Sequence, residues 1–368
     1  MHKGILAISA SVLLAAGSSF AEPAQLHLFI WTDYVDPELV SQFEKENDCK
    51  VVIDVFSSNE EMFYKLQPGA KSYDLIFPSS YMVAKLAHNG LLQKLDHSRI
   101  PNLANLDPEY VRYSLDPDME WGVPYMVTYT GIAYRKDLVS PPPTNSWAVF
   151  ETRPDLAGKT TLLGDMRETL GAALLYNGHS INTTDPAHLE EARDTVIRWE
   201  RGIARFDNAG YKSGLDSGAF RLVHGYSGDI GQMQAEEDGG NVAFFLPKEG
   251  FVLSCDEMAI PANAPNKDLA YKFINFMHDA KVAAKNMKFT VYWCPNAAAK
   301  RVLEAEDPAF AANPAVFIPS KDLARCEVID NLGDALPLYA RAWGEIIAAR
   351  AKEPEGRKAQ EKAQEKAE

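Results

Sequence analysis

A chain of 368 residues, 46% hydrophobic and 24% charged, has an ordinary globular composition, and its length exceeds what one compact core usually holds, so two lobes are expected. The formal net charge of −14 serves solubility, repels phosphate backbones and suits cationic ligands, which argues against nucleic acid as a partner. Beyond the N-terminal segment no stretch is long and apolar enough to cross a bilayer.

Residues 1–21 form a separate unit. Lys3 precedes an apolar run from Ile5 to Ala16, and small residues flank the end at Ser19-Phe20-Ala21. This is the layout of a cleavable secretory signal. No cysteine follows the run, so a lipid anchor has no attachment site, and a periplasmic protein is expected. Cys49, Cys255, Cys294 and Cys326 form no CxxC pair and no zinc-spaced cluster with histidine, so no metal or cofactor is expected. Disulfide pairing is not readable; buried free thiols fit equally well.

Strand and helix signals then alternate. Leu26 to Ile30 is a short apolar run suited to a buried parallel strand. Asp36-Pro37 opens a helix, Asp as cap and Pro in the first turn, with Leu39, Val40 and Phe43 on one face. Val51 to Phe56 is a strand, and Ser58 or Asn59 starts a helix through Leu66. Asp74 to Phe77 is a third strand, leading to a helix stopped by Gly90. A second pattern starts with a strand at Gly131 to Tyr134 and a Pro-rich loop at 140–145, followed by a strand from Lys159 to Leu163. A helix is expected from about Glu190 to Arg205, then strands at Leu222 to Tyr226, Asn241 to Leu246 and Phe251 to Ile260. Asn266 caps a helix from Leu269 to Met277, and a closing helix covers about Leu338 to Ala349. The Lys-Ala-Gln-Glu tail at 351–368 places like charges four residues apart, which disfavours a lone helix and predicts a solvated, frayed extension.

In open parallel sheets, ligands bind in the loops beyond the carboxyl ends of the strands. Here those loops read Trp31-Thr32-Asp33-Tyr34, Ser57 to Glu60, Ser79-Ser80-Tyr81, Gly164 to Glu168 and Tyr226 to Asp229. They supply rings (Trp31, Tyr34, Tyr81, Tyr226, and further on Tyr292 and Trp293) and acids (Asp33, Asp165, Glu168, Asp229, Asp256, Glu257). Carboxylates hold ammonium groups by charge-assisted hydrogen bonds. Ring faces cover methylenes and attract cations by roughly 0.5–2 kcal/mol each. Each residue also has a plain structural use: Trp31 in a core, Asp33 or Asp229 as helix caps, Asp165 and Glu168 paired with Arg167 or capping the next helix, Asp256 as a solvated loop acid. Acids and rings together also suit sugars, so a glycosidase-like enzyme is the catalytic alternative. Otherwise no catalytic residue is indicated: Gly225-Tyr226-Ser227-Gly228 falls one residue short of a nucleophile elbow.

The ordered segments Trp31-Thr-Asp-Tyr-Val, Tyr73-Asp-Leu-Ile-Phe-Pro-Ser-Ser-Tyr81, Asn105-Leu-Asp-Pro, Asp165-Met-Arg-Glu168, Pro247-Lys-Glu-Gly250 and Met258 to Lys267 resemble the periplasmic spermidine/putrescine-binding proteins of ABC importers. The likeness runs from about Gln25 to Arg350. It implies an α/β, bilobal periplasmic-binding-protein fold, with lobe 1 at 24–132 plus 256–300 and lobe 2 at 133–255 plus 301–350. It implies a cleft lined by Trp31, Thr32, Asp33, Tyr34, Ser79, Tyr81, Asp165, Glu168, Tyr226, Asp229, Asp256 and Tyr292. It also implies a monomer that takes up a polyamine and meets an ABC permease or, as the alternative, the periplasmic domain of a membrane receptor. Three positions depart from the family pattern: Ser254 where an aromatic is usual, Ile329 where spermidine-binding members have Gln, and Tyr226 in place of Trp. They leave the preferred polyamine open.

Overall fold

The computed structural model describes residues 23–67, 72–108, 115–116, 118–235, 239–313, 316–318 and 320–364, with side chains left aside at 320 and beyond 350. The secretory signal expected at 1–21 lies outside the described residues. Strand β1 (Ala24–Ile30) runs parallel to β2 (Cys49–Val55) on one side and to β3 (Leu75–Ile76) on the other. β3 pairs antiparallel with β9 (Phe251–Ala259), and β9 pairs antiparallel with β4 (Gly122–Arg135). A second sheet is built from β5 (Thr160–Leu162), β6 (Arg205–Phe206), β7 (Leu222–Tyr226) and β8 (Val242–Phe245). β6 and β7 flank β5 in parallel, while β7 and β8 pair antiparallel with the far half of β4. β10 (Cys326–Val328) adds in parallel to the start of β9.

β4 therefore belongs to both sheets: residues 122–129 pair with β9 and residues 130–135 with β7 and β8. The changeover sits at Gly131, where an added Cβ would lie 2.7 Å from the Phe245 carbonyl oxygen, so only glycine allows the strands this close. The sequence reading caught only the second half of β4. Pro124 and the polar Thr128 and Thr130 hide the first half, and the Pro is accommodated by a register shift between Pro124 and Met126.

Helix starts follow the expected chemistry. The Asp36 side chain accepts from the Glu38 N–H at 2.8 Å, and Ser58 Oγ accepts from the Glu61 N–H at 3.1 Å. Asn266 precedes the helix Lys267–Met277 without capping it: its side chain donates to the Gln25 carbonyl at 2.8 Å, while Asp74 accepts its backbone N–H at 2.6 Å. Several helices differ from expectation, among them Ala280–Thr290, which has no counterpart in the expected order. Met166–Tyr176 went unread because it is buried on nearly every face and so lacks an amphipathic period. Pro186–Glu200 starts earlier than expected, since Asp185-Pro186 repeats the cap-and-proline signal of Asp36-Pro37. The closing helix, Leu336–Gln364, runs on into the tail expected to fray; Ala, Lys, Glu and Gln are all strong helix formers, which offsets the like-charge spacing.

Two large cores separate the layers. The first gathers Leu26, Leu28, Phe43, Leu75, Tyr125 and Phe273, and extends to Leu303, Val316 and Ile318. The second packs Trp147, Leu162, Leu170, Val196 and Trp199 under Tyr339 and Ile346. The four cysteines are free thiols, three of them buried. Among the described residues no helix is long and apolar enough to cross a membrane.

Candidate functional site

The parallel strands of both sheets point their carboxyl ends at one another, and a cleft lies between. β1 feeds Trp31 to Tyr34 into it, β2 feeds Phe56, Ser57 and Asn59, and β3 feeds Ser79 and Tyr81. From the facing sheet β5 delivers Asp165 and Glu168, β6 delivers Asn208, Ala209 and Lys212, and β7 delivers Tyr226 and Asp229. The shared strands β4 and β9 floor the cleft with Thr128, Ser254 and Asp256, and Tyr292 and Ile329 complete it. Its empty space is about 920 Å³, open solvent at the mouth included, which is the scale of a small-molecule site. All twelve residues singled out from the sequence line this one cavity.

Two further candidates point elsewhere. Along β9 successive side chains face opposite ways, so Ser254 and Asp256 share the cleft face while Glu257 turns into the interior and accepts from the Ser80 hydroxyl. Tyr292 reaches the cleft, while its neighbour Trp293, bridged to Val127, packs in the first core.

Asp256 is the most firmly held acid. Its two oxygens accept from Ser79 Oγ at 2.6 Å and Tyr34 Oη at 2.7 Å. Asn59 fixes Ser79 in turn, donating to its hydroxyl and accepting its backbone N–H, each at 3.1 Å. Burial pushes the Asp256 carboxyl up to about 6, against the pull of those two hydroxyls. Asp165 caps the helix Met166–Tyr176, accepting from the Arg167 and Glu168 N–H groups at 2.9 and 3.1 Å. Burial nevertheless raises its pKa. Glu168, 3% exposed, accepts from Thr130 Oγ1 at 2.7 Å. Burial first, and then the charge of Asp165, push its carboxyl up to about 8. Glu60, behind Tyr81, is raised by burial and by Asp165 as well. Arg167 favours the ionised form of both acids through its charge but forms no ion pair with either; its guanidinium donates to Asn182 Oδ1 at 2.7 Å and the Asp330 carbonyl at 3.0 Å.

At the other end Asp229 accepts from the hydroxyls of Tyr211 and Tyr292, and burial raises its pKa. It does not cap a helix; nor does Asp33, because Asp36 takes that role. Asp33 instead adopts the left-handed region, φ 54°, an uncommon conformation that Asp tolerates better than most residues. Rings line the walls: Trp31 lies 4.2 Å from Phe56 between centroids, and Tyr34 meets Tyr292 edge-on at 5.2 Å. Contacts reach across the mouth from one side to the other. Asn208 donates to the Ser57 carbonyl at 3.2 Å and Gln232 to the Thr290 carbonyl at 3.0 Å. The two sides of the mouth are thus in contact. The sequence reading missed Asn208 and Lys212, since β6 is only two residues long and leaves no strand-to-loop signal.

Desolvated carboxylates in one cleft, with raised pKa values and ring walls, suit a slender polycation. Among the described residues no group of three or more His, Cys, Asp or Glu side chains is arranged to hold a metal ion.

Residues 38–318 match the family described as bacterial extracellular solute-binding protein. The spermidine/putrescine-binding periplasmic protein 1 of Haemophilus influenzae is 33% identical over 88% of this chain and 89% of its own. The putrescine/cadaverine-binding protein of Pseudomonas aeruginosa is 34% identical over 90% of this chain and 95% of its own. Among solved structures, the spermidine/putrescine ABC transporter substrate-binding protein PotD of Streptococcus pneumoniae superposes with a TM-score of 0.73 at 30% identity, covering 89% of this chain and 99% of that one. A lipoprotein of Treponema pallidum, Tp0655 (TpPotD), reaches a TM-score of 0.77 at 31% identity, covering 88% and 99%. With its two-sheet fold and acidic, ring-walled cleft, this chain belongs to the bacterial extracellular solute-binding proteins, in the family of the periplasmic spermidine/putrescine-binding proteins.

Proposed function

We propose that this protein captures a polyamine in the periplasm by closing its two lobes around it, and hands the closed form to an ABC import permease. One observation carries the reading: Asp165, Glu168 and Asp256 converge, buried, on a cleft whose walls are aromatic. Asp165 and Glu168 hold one ammonium, Asp256 holds the next, and Trp31, Tyr34, Tyr226 and Tyr292 flank the methylenes between them. Ser79 and Tyr81 support these acids, Thr32 and Asp33 close the mouth, and Asp229 fixes the Tyr292 ring through its hydroxyl. The protein acts as a monomer, without a catalytic step, after removal of residues 1–21. The lobes follow 24–132 plus 256–300 and 133–255 plus 301–350, with adjustments at the boundaries: Phe251, Leu253 and Cys255, and likewise Leu303, Val316 and Ile318, pack in the core of the first lobe.

The test is a calorimetric panel of putrescine, spermidine, norspermidine, spermine, cadaverine and agmatine. Binding of at least one amine, weakened by Trp31→Ala, Glu168→Gln and Asp256→Asn without loss of fold, is the expected result. A folded protein that ignores the whole panel would refute the reading. Unchanged affinity in all three variants would refute the assignment of residues.

A further inference from the structure

Lys212 is a basic side chain in a cleft otherwise lined by five carboxylates: Asp33, Asp165, Glu168, Asp229 and Asp256. It comes from the facing sheet, in the short helix Tyr211–Asp216 that follows β6. Its ammonium lies 3.4 Å from Asp33 Oδ2 on the opposite side of the mouth and donates to Gln232 Oε1 at 2.7 Å. Gln232 is itself anchored, donating to the Thr290 carbonyl at 3.0 Å. The lysine is thus positioned from two sides, with its side chain only 24% exposed. Its neighbour Asp229 already accepts from two tyrosine hydroxyls, Tyr211 and Tyr292. The Lys212 charge acts favourably on Asp229, whereas Asp33 opposes it. The Asp33–Asp229 end of the cleft therefore has its positive charge and its hydrogen-bond donors built in. Asp165, Glu168 and Asp256 also accept hydrogen bonds, but among the described residues no lysine or arginine forms an ion pair with any of them.

We propose that Lys212 is a specificity-determining residue: its ammonium occupies the Asp33–Asp229 end of the closed cleft and rejects any ligand long enough to place a further ammonium there. The selection rests on the polyamine reading above. A diamine or triamine satisfies Asp165, Glu168 and Asp256 and ends short of Lys212. A tetraamine bound in the same register brings two like charges together where little water screens them.

Putrescine, spermidine and spermine titrated calorimetrically into wild type, Lys212→Gln and Lys212→Arg decide the matter. Lys212→Gln is expected to shift the spermine-to-putrescine affinity ratio toward spermine by about tenfold or more, the scale of one removed like-charge contact. Lys212→Arg keeps the charge and is expected to hold the wild-type ratio. If wild type binds amines but Lys212→Gln leaves the ratio unchanged, or weakens all three amines equally, the lysine is only a latch between lobes and the proposal falls alone. If folded wild type binds none of the three, the proposal falls together with the polyamine reading.

Discussion

At the residue scale, a preorganised acid differs from one that is only present. Asp256 meets both of its donors before any ligand arrives, so its carboxylate need not reorganise to grip an ammonium. Asp256→Asn keeps the shape and removes the charge; the expected loss is about 2–3 kcal/mol of binding energy, the worth of a hydrogen bond to a charged group, read by calorimetry with putrescine. Glu168 carries a different signature. With its carboxyl raised to about 8 by burial and by Asp165, it holds a proton at pH 7 before an ammonium binds. A bound ammonium favours the ionised form, so binding at pH 7 is expected to release roughly one proton. Calorimetry in buffers of differing ionisation enthalpy measures that number, and Glu168→Gln should remove most of it. Farther from the ligand, Asn286 accepts the Asp36 N–H at 2.9 Å and donates to Tyr125 Oη at 2.8 Å, while Tyr125 donates to the Tyr34 carbonyl at 2.6 Å. Asn286→Ala leaves these buried groups unpaired and should cost about 2–3 kcal/mol in chemical denaturation.

At the scale of elements, the helix Ser227–Ala235 forms a contact between the lobes. A Cβ on Gly228 would lie 2.3 Å from the Tyr292 ring, and one on Gly231 would lie 2.5 Å from the Val291 side chain. Both distances are below any normal contact, so the helix approaches the 290–292 turn only because these two positions are bare. Gly228→Ala is therefore expected to displace the ring and weaken polyamine binding by about tenfold or more, in line with the usual cost of overpacking. The thermal midpoint should fall far less if the lobes open to relieve the clash. A lower midpoint with unchanged affinity would show that the ring is not held by this contact.

At the scale of the molecule, the cleft buries acids that resist ionisation. Their raised pKa values set the sign of the pH dependence. A carboxyl whose folded pKa lies above its unfolded value favours the fold below the unfolded value and loses that contribution as pH rises through the folded one. The loss runs from pH 3.8 to about 6 for Asp256 and from 4.5 to about 8 for Glu168. The ligand-free thermal midpoint should therefore fall from pH 5.5 to pH 8.5. Saturating putrescine, still largely cationic in that range, should raise the midpoint more at pH 8.5 than at pH 5.5. A ligand-induced rise that is larger at the acid end would contradict this electrostatic account.

Much of this protein is written locally. The Asp-Pro helix starts, the short apolar strands and the loops just past them depend on neighbours along the chain. The alternating pattern and the convergence of Trp31, Asp33, Tyr34, Ser79 and Tyr81 are therefore legible locally, while the full set of twelve rests on the family resemblance. What depends on distant partners is not legible. Nothing near Gly122 to Thr130 announces a strand shared by two sheets, because its partners lie more than a hundred residues away in β9. The buried helix Met166–Tyr176 has no polar face to set a period. Whether Asp229 and Asp165 hold a ligand or serve the fold turns on Tyr211, Tyr292 and the first turn of a helix, and Lys212 enters the cleft from a two-residue strand. Local propensity and pattern are properties of the chain. Burial, and with it every raised carboxyl in the cleft, exists only once the two sheets face each other, because water leaves those acids only then.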